Sequence, residues 1–259
     1  MRVTRLRVVL VHGNAGSART WDRVAPLLAE HAVAAPDLPG FGAAANAPLP
    51  TSDPLAAYTQ CVADAARALP GDGPIVLAGN GAGCLLAARA ARTLGSVAGL
   101  VLTGPVGVAG GHSRLRALST SGVGAWFLRI AGVSAIGREK FLSDQLASPR
   151  ADTEAATILC TALLVGRGFH LLARASGPEA LAGLRDLACP VVVLWGERDG
   201  VLPVARADEL LAHLPPHTVL SRVAAASHAL PLERPDLVAA AVASFAAPAS
   251  TAQAAPPAR

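Results

Sequence analysis

Aromatic and charged residues are scarce in this sequence. Of its 259 residues, 3% are aromatic and 15% are charged, whereas 52% are hydrophobic. So much apolar material excludes an intrinsically disordered chain, and the shortage of aromatic residues leaves alanine, valine and leucine to fill the core. The length suits one large α/β domain, or one such domain with an inserted lid.

Lysine is almost absent, since Lys140 is the only one, and the positive charge therefore comes from arginine. The formal net charge is +4 and the isoelectric point is about 9.3. The arginines are scattered along the chain, without a run of five or six like charges. A nucleic-acid-binding protein needs basic residues clustered on one face, so we expect no nucleic-acid partner.

Cysteine pairs at redox or metal-ligand spacing are also missing. The four cysteines lie far apart in apolar segments, as is typical of small buried thiols; they are Cys61, Cys84, Cys160 and Cys189. We therefore expect no metal and no cofactor, and a reduced, intracellular setting.

The sequence contains no recognisable secretion signal or membrane span. The N-terminal residues 1–7 lead into a short apolar stretch that ends at His12 without a small-residue cleavage site. No apolar run is long and uninterrupted enough to cross a bilayer. We expect a soluble, cytoplasmic protein with no membrane partner, and the sequence gives no indication of its oligomeric state.

Short apolar runs alternate with segments of helical spacing. The runs predict six buried strands at 6–11, 32–36, 74–78, 97–103, 190–195 and 217–223. The segments between them predict helices at 21–30, 54–69 (capped by Asp53), 84–94, 204–213 and 236–245. Strands that alternate with helices indicate right-handed βαβ units and a parallel sheet.

The alternation stops after the fourth predicted strand. Residues 108–186 contain no clear buried strand, but have short helical segments at 114–118, 126–130, 140–146, 151–164 and 179–184. We interpret them as a helical insertion over one end of the sheet. The predicted organisation is a core at 1–107 and 187–247, a helical lid at 108–186 and a disordered tail, rich in alanine and proline, at 248–259.

Four elements of the sequence follow predicted strands, in a fixed order. They are Val11-His12-Gly13-Asn14, then Asp37-Leu38-Pro39-Gly40-Phe41-Gly42, then Gly79-Asn80-Gly81-Ala82-Gly83, and finally the pair Asp199 and His228. Ligands of open α/β sheets bind at the carboxyl ends of the strands, so we expect these elements to meet at one edge. Together they resemble compact α/β-hydrolases, close in layout to small carboxylesterases of the pimeloyl-carrier-protein methyl-ester esterase type.

The resemblance implies an α/β-hydrolase fold, in which a mostly parallel sheet is flanked by helices and a helical lid follows the third βαβ unit. It also implies that residues 79–83 form the nucleophile elbow and that the backbone N–H groups of Asn14 and Ala82 form the oxyanion hole. Asp199 and His228 then stand at the positions of the acid and the base. Glu197 remains an alternative acid.

Three further residues are candidates for contact with substrate. They are Asn80, which precedes the centre of the elbow, and Trp126 and Phe127 in the predicted lid. The two aromatic residues are equally compatible with a small core of the lid itself. His12 is expected to buttress the oxyanion loop instead of reacting.

Gly81 departs from the family pattern, which has serine, cysteine or aspartate at this position. A covalent route requires a nucleophilic side chain, and glycine has none. Neither Cys84, expected to point into packing, nor Ser17, in the loop after Gly13, is a convincing substitute.

Three hypotheses follow from Gly81. In the first, which we favour, His228 is a general base that acts on water or on an acidic substrate proton, without a covalent intermediate. Direct hydrolysis, C–C cleavage and cyclisation of a biosynthetic intermediate are all compatible with it, and the apolar lid suggests a hydrophobic small-molecule substrate. The second is a non-catalytic binding or scaffold protein, and the third is a carboxylesterase inactivated by replacement of its serine.

Overall fold

A computed structural model of the protein describes residues 4–107 and 120–246. Its six strands are β1 Arg7–Val11, β2 Ala32–Ala34, β3 Ile75–Asn80, β4 Gly99–Thr103, β5 Val191–Gly196 and β6 Val219–Val223. They form one sheet in the order β2-β1-β3-β4-β5-β6, and every neighbouring pair is parallel. The predicted parallel sheet and its six strands are therefore confirmed.

The central strands are apolar except at their ends, because both faces of the sheet are covered. In β1, Val9 and Val11 belong to the core on one face, whereas Val8 and Leu10 belong to the core on the other. This division follows from the alternation of side chains along a strand. Burial on both faces is what makes these strands visible in the sequence as continuous hydrophobic runs.

Helices cover both faces of the sheet. They are α1 Pro54–Ala68, α2 Ala82–Leu94, α3 Gly122–Val133, α4 Ala135–Gln145, α5 Thr153–Val165, α6 Phe169–Ala175, α7 Ala207–Leu211, α8 Leu230–Glu233 and α9 Pro235–Ala243. Asp53 caps α1, since its Oδ1 accepts a hydrogen bond of 3.0 Å from the backbone N–H of Ala56. Proline follows at the first helical position, where its missing N–H costs nothing.

The helix predicted over 21–30 is wrong. This segment forms two short 3₁₀ helices, Ala18–Trp21 and Ala25–Leu28. The physical reason is Pro26, which would stand inside the predicted helix, where it lacks the N–H for the ladder and its ring would meet the carbonyl of Asp22. The prediction considered only the spacing of apolar residues and therefore missed the effect of Pro26.

Between β4 and β5 the chain forms α3, α4, α5 and α6. Of the predicted segments, 114–118 lies outside the described residues, as does the predicted tail at 248–259. The segment predicted at 179–184 is two 3₁₀ turns, Pro178–Leu181 and Leu184–Asp186, separated by Gly183 with a φ of +70°. That these helices act as a lid stays a prediction.

The described ranges hold no single helix with the length and apolar character to cross a membrane. The helices α5 and α6 meet these criteria only as a pair, and the chain bends by 95° between them.

Candidate active site

The turn between β3 and α2 is centred on Gly81, whose φ is +56° and ψ −121°. A side chain is strained in this conformation, and glycine is not. The turn is fixed by hydrogen bonds on both sides, from the N–H of Gly81 to the carbonyl of Thr103 (3.0 Å) and from the N–H of Cys84 to the carbonyl of Gly81 (3.1 Å). The turn therefore has the tight strand-to-helix geometry of an elbow, with glycine at its centre.

Asp199 follows β5 and His228 follows β6, and the two side chains meet. The distance between His228 Nδ1 and Asp199 Oδ2 is 2.9 Å, and the Asp199 side chain is fully buried. The other carboxylate oxygen, Oδ1, accepts the backbone N–H groups of Val201 and Leu202, each at 2.9 Å. Because Asp199 accepts the proton of Nδ1, the lone pair of the neutral imidazole is on Nε2.

The Nε2 atom of His228 is directed at residue 81. A Cβ atom built on Gly81 would lie 3.0 Å from Nε2 and 3.6 Å from Cε1 of the same ring. The basic nitrogen thus stands against the position from which a nucleophilic side chain would start.

The predicted oxyanion donors are the backbone N–H groups of Asn14 and Ala82. Ala82 is the first residue of α2, so its N–H has no partner within the helix. Across residues 4–107 and 120–246, no acceptor is recorded for the N–H of either Asn14 or Ala82. A Cβ on Gly13 would lie 3.5 Å from the nitrogen of Ala82, so the loop that carries Asn14 passes next to the start of α2. Ala82 directly follows Gly81, and a Cβ on Gly81 would lie 3.8 Å from the Cα of Gly13, the residue before Asn14. That the two N–H groups form an oxyanion hole stays a prediction.

His12 is fully buried at the start of the loop that follows β1. Its Nε2 accepts the N–H of Leu38 at 3.1 Å, which leaves Nδ1 as the protonated nitrogen, 2.8 Å from the carbonyl oxygen of Gly13. Burial lowers the pKa of His12, because desolvation penalises the charged ring. Neutral His12 therefore ties the loop after β1 to the loop at 37–42, as a buttress.

Asn80 is the last residue of β3, and its amide nitrogen faces the protein. It lies 3.1 Å from both the carbonyl oxygen and the hydroxyl of Thr103, and 3.0 Å from the carbonyl oxygen of His228. Two amide hydrogens are thus shared among three acceptors. Sequence reasoning, which predicted substrate contact for Asn80, missed this link between β3, β4 and the histidine loop.

Gly104 is a second residue that sequence reasoning missed. It follows β4 with a φ of +52°, and a Cβ at this position would lie 2.9 Å from His228 Nδ1 and 3.2 Å from Asp199 Oδ2. The absence of a side chain here makes room for the hydrogen bond between the two residues. The position of Gly104 directly after a buried strand could have indicated from the sequence that a side chain is excluded here.

The alternative reacting groups are not at the site. Glu197 is exposed, and it is Asp199 that reaches His228. Cys84 is fully buried, with its sulfur 3.2 Å from the carbonyl of Gly79, and burial raises the pKa of the thiol far above its usual range. Such a thiol stays protonated and is a poor nucleophile.

Trp126 and Phe127 lie on α3 and are 53% and 57% exposed. Their rings are edge to face, with centroids 5.0 Å apart. The buried residues of the neighbouring helices are others, including Leu142, Leu146 and Ile158. The two aromatic residues are therefore not the core of this region, and their contact with substrate stays a prediction.

The strand order, the turn at Gly81 and the Asp199–His228 pair define the class as an α/β-hydrolase-type protein. Residues 8–241 match the family model described as "Alpha/beta hydrolase family". The chain belongs to this family, as the sequence motifs predict. A comparison with curated protein sequences gives no match.

Several solved structures share the fold. An esterase, RhEst1 from Rhodococcus sp. ECU1013, is 26% identical, with a TM-score of 0.68 over 95% of this chain and 93% of the other. A thermophilic esterase from Thermogutta terrifontis is 23% identical, with a TM-score of 0.70 over 93% and 89%. MenH from S. aureus is 17% identical, with a TM-score of 0.71 over 95% and 94%.

Proposed function

We propose that this protein is an enzyme that acts on a hydrophobic small molecule by general-base catalysis, without a covalent serine intermediate. His228 is the base, Asp199 orients it, and the N–H groups of Asn14 and Ala82 stabilise negative charge on the substrate. The observation that carries the proposal is the distance of 3.0 Å between Nε2 of His228 and the Cβ position of Gly81. At this distance, the lone pair of Nε2 lies next to the position from which the nucleophilic side chain of the family extends.

The environment of the pair supports a catalytic role. Burying a carboxylate is costly unless it is paired and hydrogen-bonded, and Asp199 is satisfied by His228 and by two backbone N–H groups. The same contacts fix the tautomer of His228. A site without chemistry would not require a buried acid held in this way.

For a carboxylic ester, the proposed step is direct hydrolysis. Nε2 removes a proton from water while the water oxygen forms a bond to the carbonyl carbon, and the carbonyl oxygen becomes an oxyanion that accepts the N–H groups of Asn14 and Ala82. The oxyanion then collapses, the C–O bond to the alcohol breaks, and the imidazolium returns its proton to the leaving oxygen. For a substrate with an acidic C–H, the same base can start C–C cleavage or cyclisation.

A second candidate function is that of a carboxylesterase that has lost its serine. Two observations favour it. Gly81 has the backbone geometry of an elbow next to His228, and the Rhodococcus structure, at 26% identity, is that of an esterase. In that case the protein as it stands is inactive on esters, and a serine at residue 81 restores activity.

The test compares the protein with its Gly81→Ser and His228→Ala variants on short acyl esters and on a panel of apolar metabolites. We expect the unmodified protein to turn over at least one compound and His228→Ala to lose that activity. We also expect no labelling of the unmodified protein by a serine-reactive fluorophosphonate.

Other outcomes favour the alternatives. Esterase activity and fluorophosphonate labelling that arise only in Gly81→Ser indicate a carboxylesterase without its nucleophile. Binding of an apolar metabolite with no turnover in either protein indicates a binding or scaffold role. Turnover that survives His228→Ala contradicts the proposal.

A further inference from the structure

We propose that Glu233 is a positioning residue, which holds His228 in place by joining its loop to the end of helix α4 (Ala135–Gln145). The proposal rests on the proposed function, since it concerns the same His228, and it adds a connection between the helices that separate β4 from β5 and the catalytic pair.

The Glu233 carboxylate accepts two backbone N–H groups from distant parts of the chain. Its Oε1 accepts the N–H of Ala147 at 2.6 Å, and its Oε2 accepts the N–H of Ser227 at 2.7 Å. Ala147 lies just beyond the end of α4, and Ser227 immediately precedes His228. One side chain therefore clamps these two segments together.

The last residues of α4 contact both loops of the catalytic pair directly. The carbonyl oxygen of Asp144 accepts the N–H of Gly200, next to Asp199, at 3.2 Å, and the carbonyl oxygen of Gln145 accepts the N–H of Ala229, next to His228, at 2.9 Å. Carbonyl groups in the last turn of a helix have no partner within it, so they are available for these donors.

Ser227 adds a further link between the same three segments. Its hydroxyl lies 3.1 Å from the carbonyl oxygen of Asp144 and 3.0 Å from that of Arg198. The backbones of α4 and the Asp199 loop also approach closely, since a Cβ on Gly200 would lie 2.6 Å from Cα of Asp144. The end of α4, the Asp199 loop and the His228 loop thus form one hydrogen-bonded unit, and Glu233 closes it.

Glu233 holds this unit through hydrogen bonds and not through an ion pair. In the described ranges no arginine or lysine lies within ion-pair distance of its carboxylate; nearby Arg23 is bound by Asp152 and Glu154. Burial raises the pKa of Glu233, while the two backbone N–H groups act in the opposite direction. Hydrogen bonds to a charged acceptor are stronger than those to a neutral one. The ionised carboxylate of Glu233 therefore holds the backbone N–H groups of Ala147 and Ser227 more firmly than a neutral side chain would.

Loss of these bonds should act on the geometry of His228. Without Glu233, the N–H of Ser227 and that of Ala147 lose their acceptor, and the loop keeps only its contacts with Asn80, the end of α4 and the Asp199 loop. Small displacements of a catalytic base reduce the rate of the chemical step more than they reduce substrate binding.

The test uses Glu233→Ala and Glu233→Gln in the full chain, with Asp53→Ala as the matched control. Asp53 is an exposed carboxylate that also accepts one backbone N–H, at the start of α1, so its loss removes a similar bond away from the site. The first readout is the low-field proton resonance of His228 Nδ1, assigned by its absence in His228→Ala. The second is the set of NMR chemical shifts of the carbon-bound protons of the His228 ring.

We expect Glu233→Ala to broaden or abolish the low-field resonance and to change the chemical shifts of the His228 ring protons, whereas Asp53→Ala leaves both unchanged. Where turnover is measurable, we expect kcat to fall about 10-fold to 100-fold with little change in KM. Glu233→Gln keeps one acceptor oxygen, and we expect an intermediate shift in the resonance.

A folded Glu233→Ala protein with an unchanged low-field resonance and unchanged chemical shifts of the His228 ring would overturn the proposal. If Glu233→Ala does not fold, Glu233→Gln decides in the same way. Because the NMR readouts do not require turnover, they separate a failure of this inference from a failure of the proposed function, which is decided by activity alone.

Discussion

His228 lies unusually close to Gly81, since only 3.0 Å separates its Nε2 from the position that a Cβ at residue 81 would occupy. This distance is shorter than an ordinary van der Waals contact. Adding a side chain therefore has two costs. One is the strain of a φ of +56°, and the other is a small movement of the His228 ring. The two costs can be separated, because the chain has other glycines with a positive φ and open surroundings.

We predict that Gly81→Ala lowers the free energy of unfolding by about 1–3 kcal/mol and changes the NMR chemical shifts of the His228 ring. The control is Gly95→Ala, at the end of α2, where φ is +74° and nothing lies within 4 Å of the added Cβ. It should show strain alone, about 1–2 kcal/mol, without an effect on His228. Denaturant unfolding and NMR measure the two effects, and an equal response of His228 to both variants would contradict the reasoning.

Gly104 provides the space in which His228 and Asp199 meet. We predict that Gly104→Ala separates the pair, because the added Cβ would lie within 3.2 Å of both His228 Nδ1 and Asp199 Oδ2. The low-field proton resonance of Nδ1 should disappear, and turnover should fall by about 100-fold or more.

The matched control for Gly104 is Gly71→Ala. Gly71 also has a positive φ, +91°, and a Cβ there meets nothing within 4 Å. If Gly104→Ala keeps the Nδ1 resonance, the prediction is contradicted. The loops would then have moved away from residue 104 without breaking the hydrogen bond between His228 and Asp199.

Strand positions and the order of the motifs were predictable from the sequence because they depend on local composition. A central strand such as β5, which is largely buried, is apolar, and Asp199 follows it. His228 follows β6, an edge strand that contains Ser221 and Arg222 and is recognised instead by its position after the helix predicted at 204–213. The prediction of a helix over 21–30 was wrong for an equally local reason, because it relied on the spacing of apolar residues and ignored Pro26.

The fine structure of the site was not predictable, because it depends on where distant loops meet. Gly104 leaves space for the hydrogen bond between Asp199 and His228, and this role depends on the positive φ of Gly104 and on the approach of two distant loops. The clamp made by Glu233 joins Ala147 to Ser227, which are eighty residues apart in the chain. No pattern within one segment carries that information.

Asn80 should act through His228 and not through substrate. We predict that Asn80→Asp lowers the free energy of unfolding by about 2–3 kcal/mol, because it sets a carboxylate oxygen against three acceptor oxygens. Asn80→Ala leaves these acceptors without their donor and should cost less than Asn80→Asp. A change in KM with unchanged stability in both variants would instead support the substrate contact predicted from the sequence.

His12 makes the stability of the fold depend on pH. Its pKa in the folded protein lies below the ordinary value of 6.5 because the ring is buried, so the unfolded chain binds a proton first as pH falls. The contribution of neutral His12 is complete above pH 6.5 and is lost as pH falls through the window between the two pKa values.

We therefore expect the free energy of unfolding to decrease below pH 6.5, with a slope of at most about 1.4 kcal/mol per pH unit from this one group. His12→Gln keeps an acceptor for the N–H of Leu38 and does not titrate. The variant should be less stable at pH 8 but should show a weaker decline towards pH 5 when both proteins are unfolded with denaturant. Parallel declines would assign the pH dependence to other groups.

The exposed pair Trp126 and Phe127 allows substrate contact to be separated from stability. If these rings bind an apolar substrate, Trp126→Ser and Phe127→Ser should raise KM by about 10-fold each, since each loses a large apolar contact area. The free energy of unfolding should change by less than about 0.5 kcal/mol, as is usual for exposed positions. Ile136→Ser is the matched control, because Ile136 lies on the next helix, α4, and is 87% exposed. A KM that rises as much in Ile136→Ser as in the two aromatic variants would mean that general surface polarity, and not contact with these rings, governs the response.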